Sequence, residues 1–590
     1  MKQMLVDYDH LLNIDYDAPF QIPPVGADTL LAARPAESLN GQWRFTVDVF
    51  DTFLRKKLFD AAYTDAQGRA LPVDCDLDGW ETVDVPSCWN LQKEKYYYFE
   101  GSGVYTRTFH YTPRQEGERV YLYIGAANYE CRVFLNGKLV GRHIGGFTPF
   151  NIELTGHLRA ENRICLVVNN TRRLEGIPSL NFDWFNYGGI TRDILLLRVP
   201  PVFVRGFSAA LVPDGTYSTI EAKAWIEDGA GKDCVLEIPE LGVRATMRAD
   251  ENGYAATRIT ARPELWSCES PRLYDVCLRC GEDELRDRVG FREVRVCGKK
   301  ILLNGKPIFL RGACCHEEST AGGRVMNDAE RRHILQDARD MGCNILRLTH
   351  YPHDGKMARL ADEMGMLLWE EIPVYWALCF SREDTYQNAE NQLRELLFRD
   401  ANRASVILWA VGNENPDTDE RLSFMSRLVD TCRAWDPTRL VTAACLVDID
   451  EMRVKDRLAE CVDVVAFNEY YGWYYRDYNG LAQILDNTHL DKPMVISETG
   501  AGSLPGHHGE DEELFTEEHQ AKVYRMQFAI SDGRIQGVFP WVLYDFRSPV
   551  RMHPMQDQHN RKGLIAFDKQ HRKLAFHTVQ AYYGQKQKKG

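Results

Sequence analysis

The chain is predicted to be a multidomain protein: a β-sandwich, then a smaller β-sandwich, then a (β/α)8 barrel. Three observations carry that expectation. At 590 residues the chain far exceeds the roughly 100–200 residues of one ordinary domain. Up to about residue 296 its apolar residues fall in short β-type runs broken by Gly, Asn and Asp. Beyond that point short apolar runs alternate with helix-length stretches through eight repeats, the pattern of parallel strands joined by helices.

The elements follow in order. Within residues 1–200, "GQWRFTVDVF", "GVYTRTFHY", "RVYLYIGAA", "CRVFLNGKLVG" and "NRICLVVNN" are regularly spaced strands with turn signals such as "LNGK", which reads as a sandwich. Residues 201–296 hold a second set, "STIEAKAWIED", "DCVLEIPEL" and "YDVCLRCGEDEL". From 297 to 590 the strand candidates are "IFLRGACC", "NILRLTH", "MLLWEEI", "VILWAVGN", "RLVTAAC", "VVAFNEY", "PMVISET" and "VFPWVLYDF", with helical stretches such as "NDAERRHILQDARDMG" between them. A doubly wound sheet is the rival, but its Gly-rich turn after the first strand is missing.

Composition narrows the function. A formal charge of −14 offers no basic footprint for nucleic acid. No run approaches the roughly 18 apolar residues of a membrane span, and "MKQMLVDYDHLLNIDYD" has no apolar core of a secretory signal. The 16 cysteines are scattered, as reduced thiols in a cytoplasm are. The adjacent Cys314 and Cys315 are expected to be two small residues near a strand end.

In a barrel the active groups sit at the C-terminal ends of the strands. Glu414 follows strand four, in "VILWAVGNENP", and Glu498 follows strand seven. The two lie across the barrel mouth, where a pair of carboxylates can perform glycoside hydrolysis: one protonates the leaving oxygen and the other attacks the anomeric carbon or activates water. A bell-shaped dependence of rate on pH is expected. His316, His350, Glu371, Tyr470, Tyr474, Trp541 and Asp545 crowd the other strand ends. This chemistry needs no metal or other cofactor, and His316, Glu317 and His350 lack a ligand spacing such as HExxH.

"LWAVGNENP" and "PMVISETG" resemble the acid/base and nucleophile motifs of glycoside hydrolase family 2, and "RGACCHEES" and "NILRLTHYPH" resemble two further strand ends of that family. The resemblance covers nearly the whole chain. It implies a jelly-roll, sugar-binding-like first sandwich and an immunoglobulin-like second one. "FDWFNYGGITR", "NEYYGWYY" and "NRKG" are most similar to the family's β-glucuronidases, which implies a terminal uronide as substrate and a homo-oligomeric state.

By the same resemblance Glu414 is the acid/base, Glu498 the nucleophile of a retaining double displacement, and Asn413 the partner of the sugar 2-hydroxyl. Asp183 and His316 hold sugar hydroxyls. Tyr470 and Tyr474 line the site with Asn468 nearby, and Trp541 forms an apolar wall. Asn560 and Lys562 clasp the sugar carboxylate, since a lysine in a dry pocket matches a permanent negative charge.

The chain departs from the glucuronidases in "SETGAG" and in the long segment "YDFRSPVRMHPMQDQHNRKG", where Arg547 or Arg551 can supply a guanidinium near the sugar. A β-galacturonidase or β-galactosidase of the family stays open, as does a carbohydrate-binding protein without turnover. The short segment after strand three, "VYWALCFSREDTYQ", predicts an open entrance suited to bulkier or saccharide leaving groups.

Overall fold

The computed structural model describes residues 34, 36–59, 79–475 and 477–589. Two antiparallel sheets come first. A sheet of six strands runs in the order Glu81–Val85, Gly41–Asp48, Ser102–His110, Glu161–Asn169, Glu130–Leu135, Lys138–Ile144. It faces a sheet of four, Ala36–Ser38, Ile194–Val199, Arg119–Ile124 and Phe150–Glu153. Trp43, Phe45, Trp89, Tyr105, Leu122 and Leu166 fill the space between. "LNGK" makes the tight link between Glu130–Leu135 and Lys138–Ile144, with Asn136 and Gly137 both at positive φ, the geometry that matches strand twist.

The second sandwich pairs a sheet of three strands with a sheet of four, an immunoglobulin-like arrangement. Thr219–Glu227 alternates strictly between half-buried and buried residues, the period of a strand with one face on a core. Cys277 and Cys280 stand at C-x-x-C spacing on the strand Tyr274–Cys280. Three residues apart on a strand, their side chains leave opposite faces, so they do not form the chelating pair that the same spacing makes in a turn.

The third part is the barrel. Its strands are β1 (Leu310–Arg311 and Cys314–Cys315), β2 (Ile345–Leu348), β3 (Leu367–Glu371), β4 (Val406–Asn413), β5 (Leu440–Cys445), β6 (Val464–Asn468), β7 (Met494–Thr499) and β8 (Gly537–Pro540). Neighbours pair in parallel. The first half of β1 pairs with β8 and the second half with β2, which closes the ring. Cys314 and Cys315 are simply buried strand residues here. Both faces of each strand are covered, which is why the strands read as unbroken apolar runs.

The barrel helices are α1 (Asp328–Met341), α2 (Gly355–Met364), α3 (Glu383–Arg399), α4 (Asp419–Trp435), α5 (Asn479–Asn487), α6 (Glu517–Ser531) and α7 (Leu574–Lys589). Between β5 and β6 the expected helix-sized connection is different: a two-stranded hairpin, Val447–Asp448 with Arg453–Val454, and a single 3-10 turn, Arg457–Glu460. The first sandwich is anchored on the barrel by Arg192. Its buried guanidinium donates to Phe147 O at 2.6 Å, Glu317 Oε2 at 2.9 Å and Pro352 O at 3.0 Å.

Candidate active site

Side-chain alternation along the strands sets what the barrel interior contains. Leu367 and Trp369 of β3 point inward, so Glu371 does too, at the mouth; Ile345 of β2 places Arg347 on the same inner face. Arg347 is fully buried, with its guanidinium over the Trp369 ring. It donates to Glu371 at 3.0 and 3.2 Å, to Glu498 Oε1 at 2.8 Å, to Ser497 O at 3.1 Å and to Asn413 Oδ1 at 2.9 Å. One cation therefore fixes parts of β3, β4 and β7 together.

Glu498 is buried, and its second oxygen, Oε2, accepts from Tyr470 OH at 2.8 Å. Burial pushes its carboxyl above the ordinary value, while Arg347 and His350 pull it back and the Glu414 charge adds to the rise. His350 bonds Glu371 through Nδ1 at 2.7 Å and points Nε2 toward Glu498 at 3.8 Å. Trp541 stacks on that imidazole, ring centroids 4.9 Å apart.

Glu414 sits one residue past β4, where the register with β5 shifts between Ala410 and Asn413. Its φ of 51° is left-handed, uncommon for a residue with a Cβ and a feature that concentrates at functional sites. The turn re-aims the side chain across the mouth. Trp376, also left-handed at φ 55°, donates its indole N–H to Glu414 Oε2 at 2.9 Å. Gly412 leaves room just before: a Cβ there would lie 2.5 Å from Asn415 Oδ1 and 2.6 Å from Met425 Cε, so those side chains would have to shift. The glutamate is half-buried, reachable by water.

Asn413 is the link between the two carboxylates. Its Oδ1 accepts from Arg347 and from Asn468 Nδ2 at 3.2 Å, while its Nδ2 lies 3.4 Å from Glu414 Oε2. Asn468 in turn accepts from Ser497 Oγ at 2.7 Å. His316 is buried beside Tyr351, 3.1 Å away through Nδ1, and its Nε2 has no partner. Burial, then His350 and His353, hold its ring well below the ordinary histidine value, so it is neutral.

Both glutamates line one pocket that opens to solvent. Opposite Glu414, past β8, the pocket ends in two cations. Lys562 Nζ donates to Tyr474 OH at 2.9 Å and Arg551 Nη1 to the same oxygen at 3.3 Å. Burial lowers the Lys562 pKa and the neighbouring Tyr474 raises it.

Asp183 arrives here from the first sandwich. It accepts from Arg551 Nε at 3.0 and 3.1 Å, from Asn560 Nδ2 at 3.0 Å, and from Ser548 Oγ. Asn560 is completely buried, and its Oδ1 takes the Lys562 N–H at 3.2 Å. It braces Asp183 and Lys562 and does not line the pocket.

Of the residues singled out in the sequence, Asp183, Glu414, Asn468, Tyr470, Tyr474, Glu498, Trp541 and Lys562 line this pocket. Asn413 and His316 are buried next to lining residues, Asn413 beside Asn468 and Glu414 and His316 against Trp541. Asp545 is elsewhere, bonded to Lys573 Nζ at 2.9 Å and to the Gly563 N–H at 2.8 Å. Arg547 bonds Tyr187, Glu318 and Thr320 O, so Arg551 is the arginine at the pocket. Arg347, Trp376 and Glu469 were not singled out. The signal for Arg347 was present: a lone charge inside the apolar run "NILRLTH".

Residues 294–587 match the model of the glycosyl hydrolases family 2 TIM barrel domain, and residues 36–200 match that of the family 2 sugar binding domain. The chain belongs to glycosyl hydrolases family 2. This family 2 enzyme is a glycoside hydrolase. It is 28% identical over 554 residues to a β-glucuronidase of Streptococcus agalactiae, covering 83% of this chain and 90% of that one. A β-glucuronidase of Bacteroides fragilis is 28% identical over 557 residues, 86% of this chain and 79% of the relative. Among solved structures, the Faecalibacterium prausnitzii β-glucuronidase superposes with a TM-score of 0.80 at 26% identity, over 94% of this chain and 98% of the other. Among the described residues no helix is long and apolar enough to cross a membrane.

Proposed function

We propose that this family 2 enzyme is a retaining exo-β-glucuronidase. Glu498 attacks the anomeric carbon while Glu414 gives its proton to the glycosidic oxygen. In the second step Glu414 takes a proton from water, which attacks the glycosyl–Glu498 ester and releases the sugar with net retention. Arg347 and Tyr470 each hold one oxygen of Glu498, which fixes the nucleophile's line of attack. Trp376 holds Glu414 in place. Asn413 is the partner of the 2-hydroxyl, assisted by Asn468, with Trp541 as the apolar wall and His316 and Asp183 reading other hydroxyls.

The observation that carries the sugar assignment is the pair of cations, Lys562 and Arg551, meeting at Tyr474 in the pocket that contains both glutamates. Arg551 is already paired with Asp183, but the buried Lys562 ammonium makes no ion pair among the described residues; a uronate carboxylate matches that charge, whereas a neutral galactoside leaves it uncompensated, which is costly in a buried site. The galacturonide is the second reading. It rests on the long segment after β8, which departs from the glucuronidase pattern and brings Arg551 onto Asp183, the residue proposed to read a sugar hydroxyl.

The test is hydrolysis of p-nitrophenyl β-D-glucuronide, β-D-galacturonide and β-D-galactoside by the wild type and Lys562→Ala. The glucuronide should be fastest, and the substitution should remove about a hundredfold or more of its advantage over the galactoside. A faster galacturonide keeps the mechanism and changes the epimer. We also place the enzyme in a bacterial cytoplasm, as a homo-oligomer of chains divided at about residues 200 and 296. The cysteines, free wherever described, support a reducing compartment.

A further inference from the structure

The glycosidic bond divides the pocket into a sugar end and a leaving-group end, and the strand order says which is which. The acid must face the leaving oxygen, and Glu414 follows β4. The cations that read the sugar follow β8. In an eight-stranded ring these ends are opposed, so the leaving group lies over the ends of β4 and β5. The residues lining that end include Trp376, Leu446, Val447, Ile449 and Tyr475, with Glu469 the one further carboxyl on the β5–β6 side.

Three features of this end point the same way. Apart from the buried Glu469 its residues are apolar or aromatic, and three of them stand open to the mouth: Ile449 is 59% exposed, Tyr475 51% and Trp376 37%. The one polar atom of the Trp376 ring is already given to Glu414. The charged residues of the hairpin after β5 pair with one another and turn away from the pocket. Asp448 accepts from the Asp450 and Glu451 N–H groups at 3.0 and 2.9 Å, Lys455 reaches Asp448 at 3.3 Å and bonds Glu451, and Arg453 bonds Glu451 at 2.6 Å.

The hairpin is also held firmly. Leu446 N–H donates to Asp456 at 3.0 Å, Lys455 N–H to Leu446 O at 3.2 Å, and Val454 N–H to Thr488 Oγ1 at 3.0 Å. Trp376 is fixed on the other side, its ring 4.5 Å from Tyr375 and its carbonyl accepting from Asn415 at 2.8 Å. Two rigid apolar walls thus flank the leaving group.

We infer that the enzyme selects a flat, apolar leaving group, an aromatic or polycyclic alcohol, held between Trp376 and the Val447–Ile449 edge of the hairpin. This rests on the hydrolase reading of the two glutamates. A saccharide leaving group presents several hydroxyls, each of which needs a partner when it leaves water. Besides Glu414, the side chains described at this end supply two, the Tyr475 hydroxyl and the buried Glu469 carboxyl, too few for the hydroxyls of a sugar ring. An aromatic ring meets ring faces and branched aliphatic groups, the surfaces that stabilise it. The open entrance expected from the short segment after β3 is therefore walled from another direction, by the hairpin.

The experiment compares kcat/KM for three glycosides of whichever uronic acid the enzyme hydrolyses fastest: the 2-phenylethyl glycoside, the ethyl glycoside and a uronyl-glucose disaccharide. All three leave as alcohols, so an activated phenol does not bias the comparison. The phenylethyl glycoside should exceed both others by roughly tenfold or more. In Ile449→Ser the phenylethyl-to-ethyl ratio should fall several-fold, and in Ile449→Phe it should be kept or raised; Ile449 is exposed, so neither change threatens the fold. A preference for the disaccharide, or a ratio insensitive to Ile449, overturns the inference and leaves the sugar reading intact. A failure to hydrolyse any glycoside, uronide or galactoside, overturns the hydrolase reading and the inference with it.

Discussion

Arg347 touches two carboxylates, an amide oxygen and a carbonyl while fully shielded from water, so its removal leaves two buried carboxylates with only the His350 ring beside them. Arg347→Met should destabilise the fold by about 3–5 kcal/mol and lower kcat/KM by at least a thousandfold. The pH profile tells more. Burial already raises the Glu498 pKa, and Arg347 opposes the rise. Without that cation the nucleophile protonates at higher pH, so the acid limb of kcat/KM moves up. Arg347→Lys, which keeps the charge, should restore much of the limb's position. A limb that stays put in Arg347→Met means that Glu498 is not the titrating nucleophile.

Lys562 gives the opposite limb. Its pKa is lowered by burial and raised by Tyr474, so Tyr474→Phe removes the raising partner and lets the ammonium lose its proton at lower pH. The KM for a uronide should then begin to rise at a lower pH than in the wild type, with kcat less affected. Glu469, buried beside Tyr470 with one oxygen unpartnered, is pushed up to about 7 by burial. The glutamate stands in "NEYYGWYY", but its burial was not legible there, because its neighbours come from β7 and α6.

At the scale of elements, the end of β4 shows how local sequence makes an active site. The apolar run had to stop, and "GNEN" supplies a residue without a Cβ, then an amide, then the acid in a left-handed turn. Gly412→Ala pushes the strand against Asn415 and Met425. It should cost about 1–3 kcal/mol and displace Glu414 enough to lower kcat tenfold or more, readable by thermal unfolding and steady-state kinetics. An unchanged kcat would sink this account of the turn. The strands, their order and both glutamates were legible, because a strand buried on two faces writes itself as an apolar run. The hairpin after β5 was not, since its charges pair within eight residues, Asp448 to Lys455, and give no period.

At the scale of the whole molecule, the site is incomplete without the first sandwich. Asp183 enters the barrel mouth from it and is held by Arg551, Asn560 and Ser548. Arg192 ties the same sandwich to Glu317 and to the backbone at Pro352. Arg192→Ala leaves Glu317 buried without that cation and should loosen the sandwich from the barrel. Calorimetry should show the thermal unfolding split or broaden at its low-temperature side, with activity lost in the first step. A single transition with unchanged activity would show that the sandwich and barrel are coupled by other contacts.

The sequence by itself determined the two sandwiches, the barrel and the paired glutamates, because hydrophobic periodicity and strand ends are local properties of the chain. The resemblance supplied the remaining candidates, and most of them do reach one pocket. Only the tertiary structure decided that Arg347 ties the nucleophile to Asn413, that Arg551 rather than Arg547 faces the pocket, and that Asn560 braces Asp183. Each of those outcomes is a choice of partner among residues far apart in sequence. A charged side chain takes the nearest buried opposite charge or acceptor, and folding, not spacing along the chain, fixes which one that is.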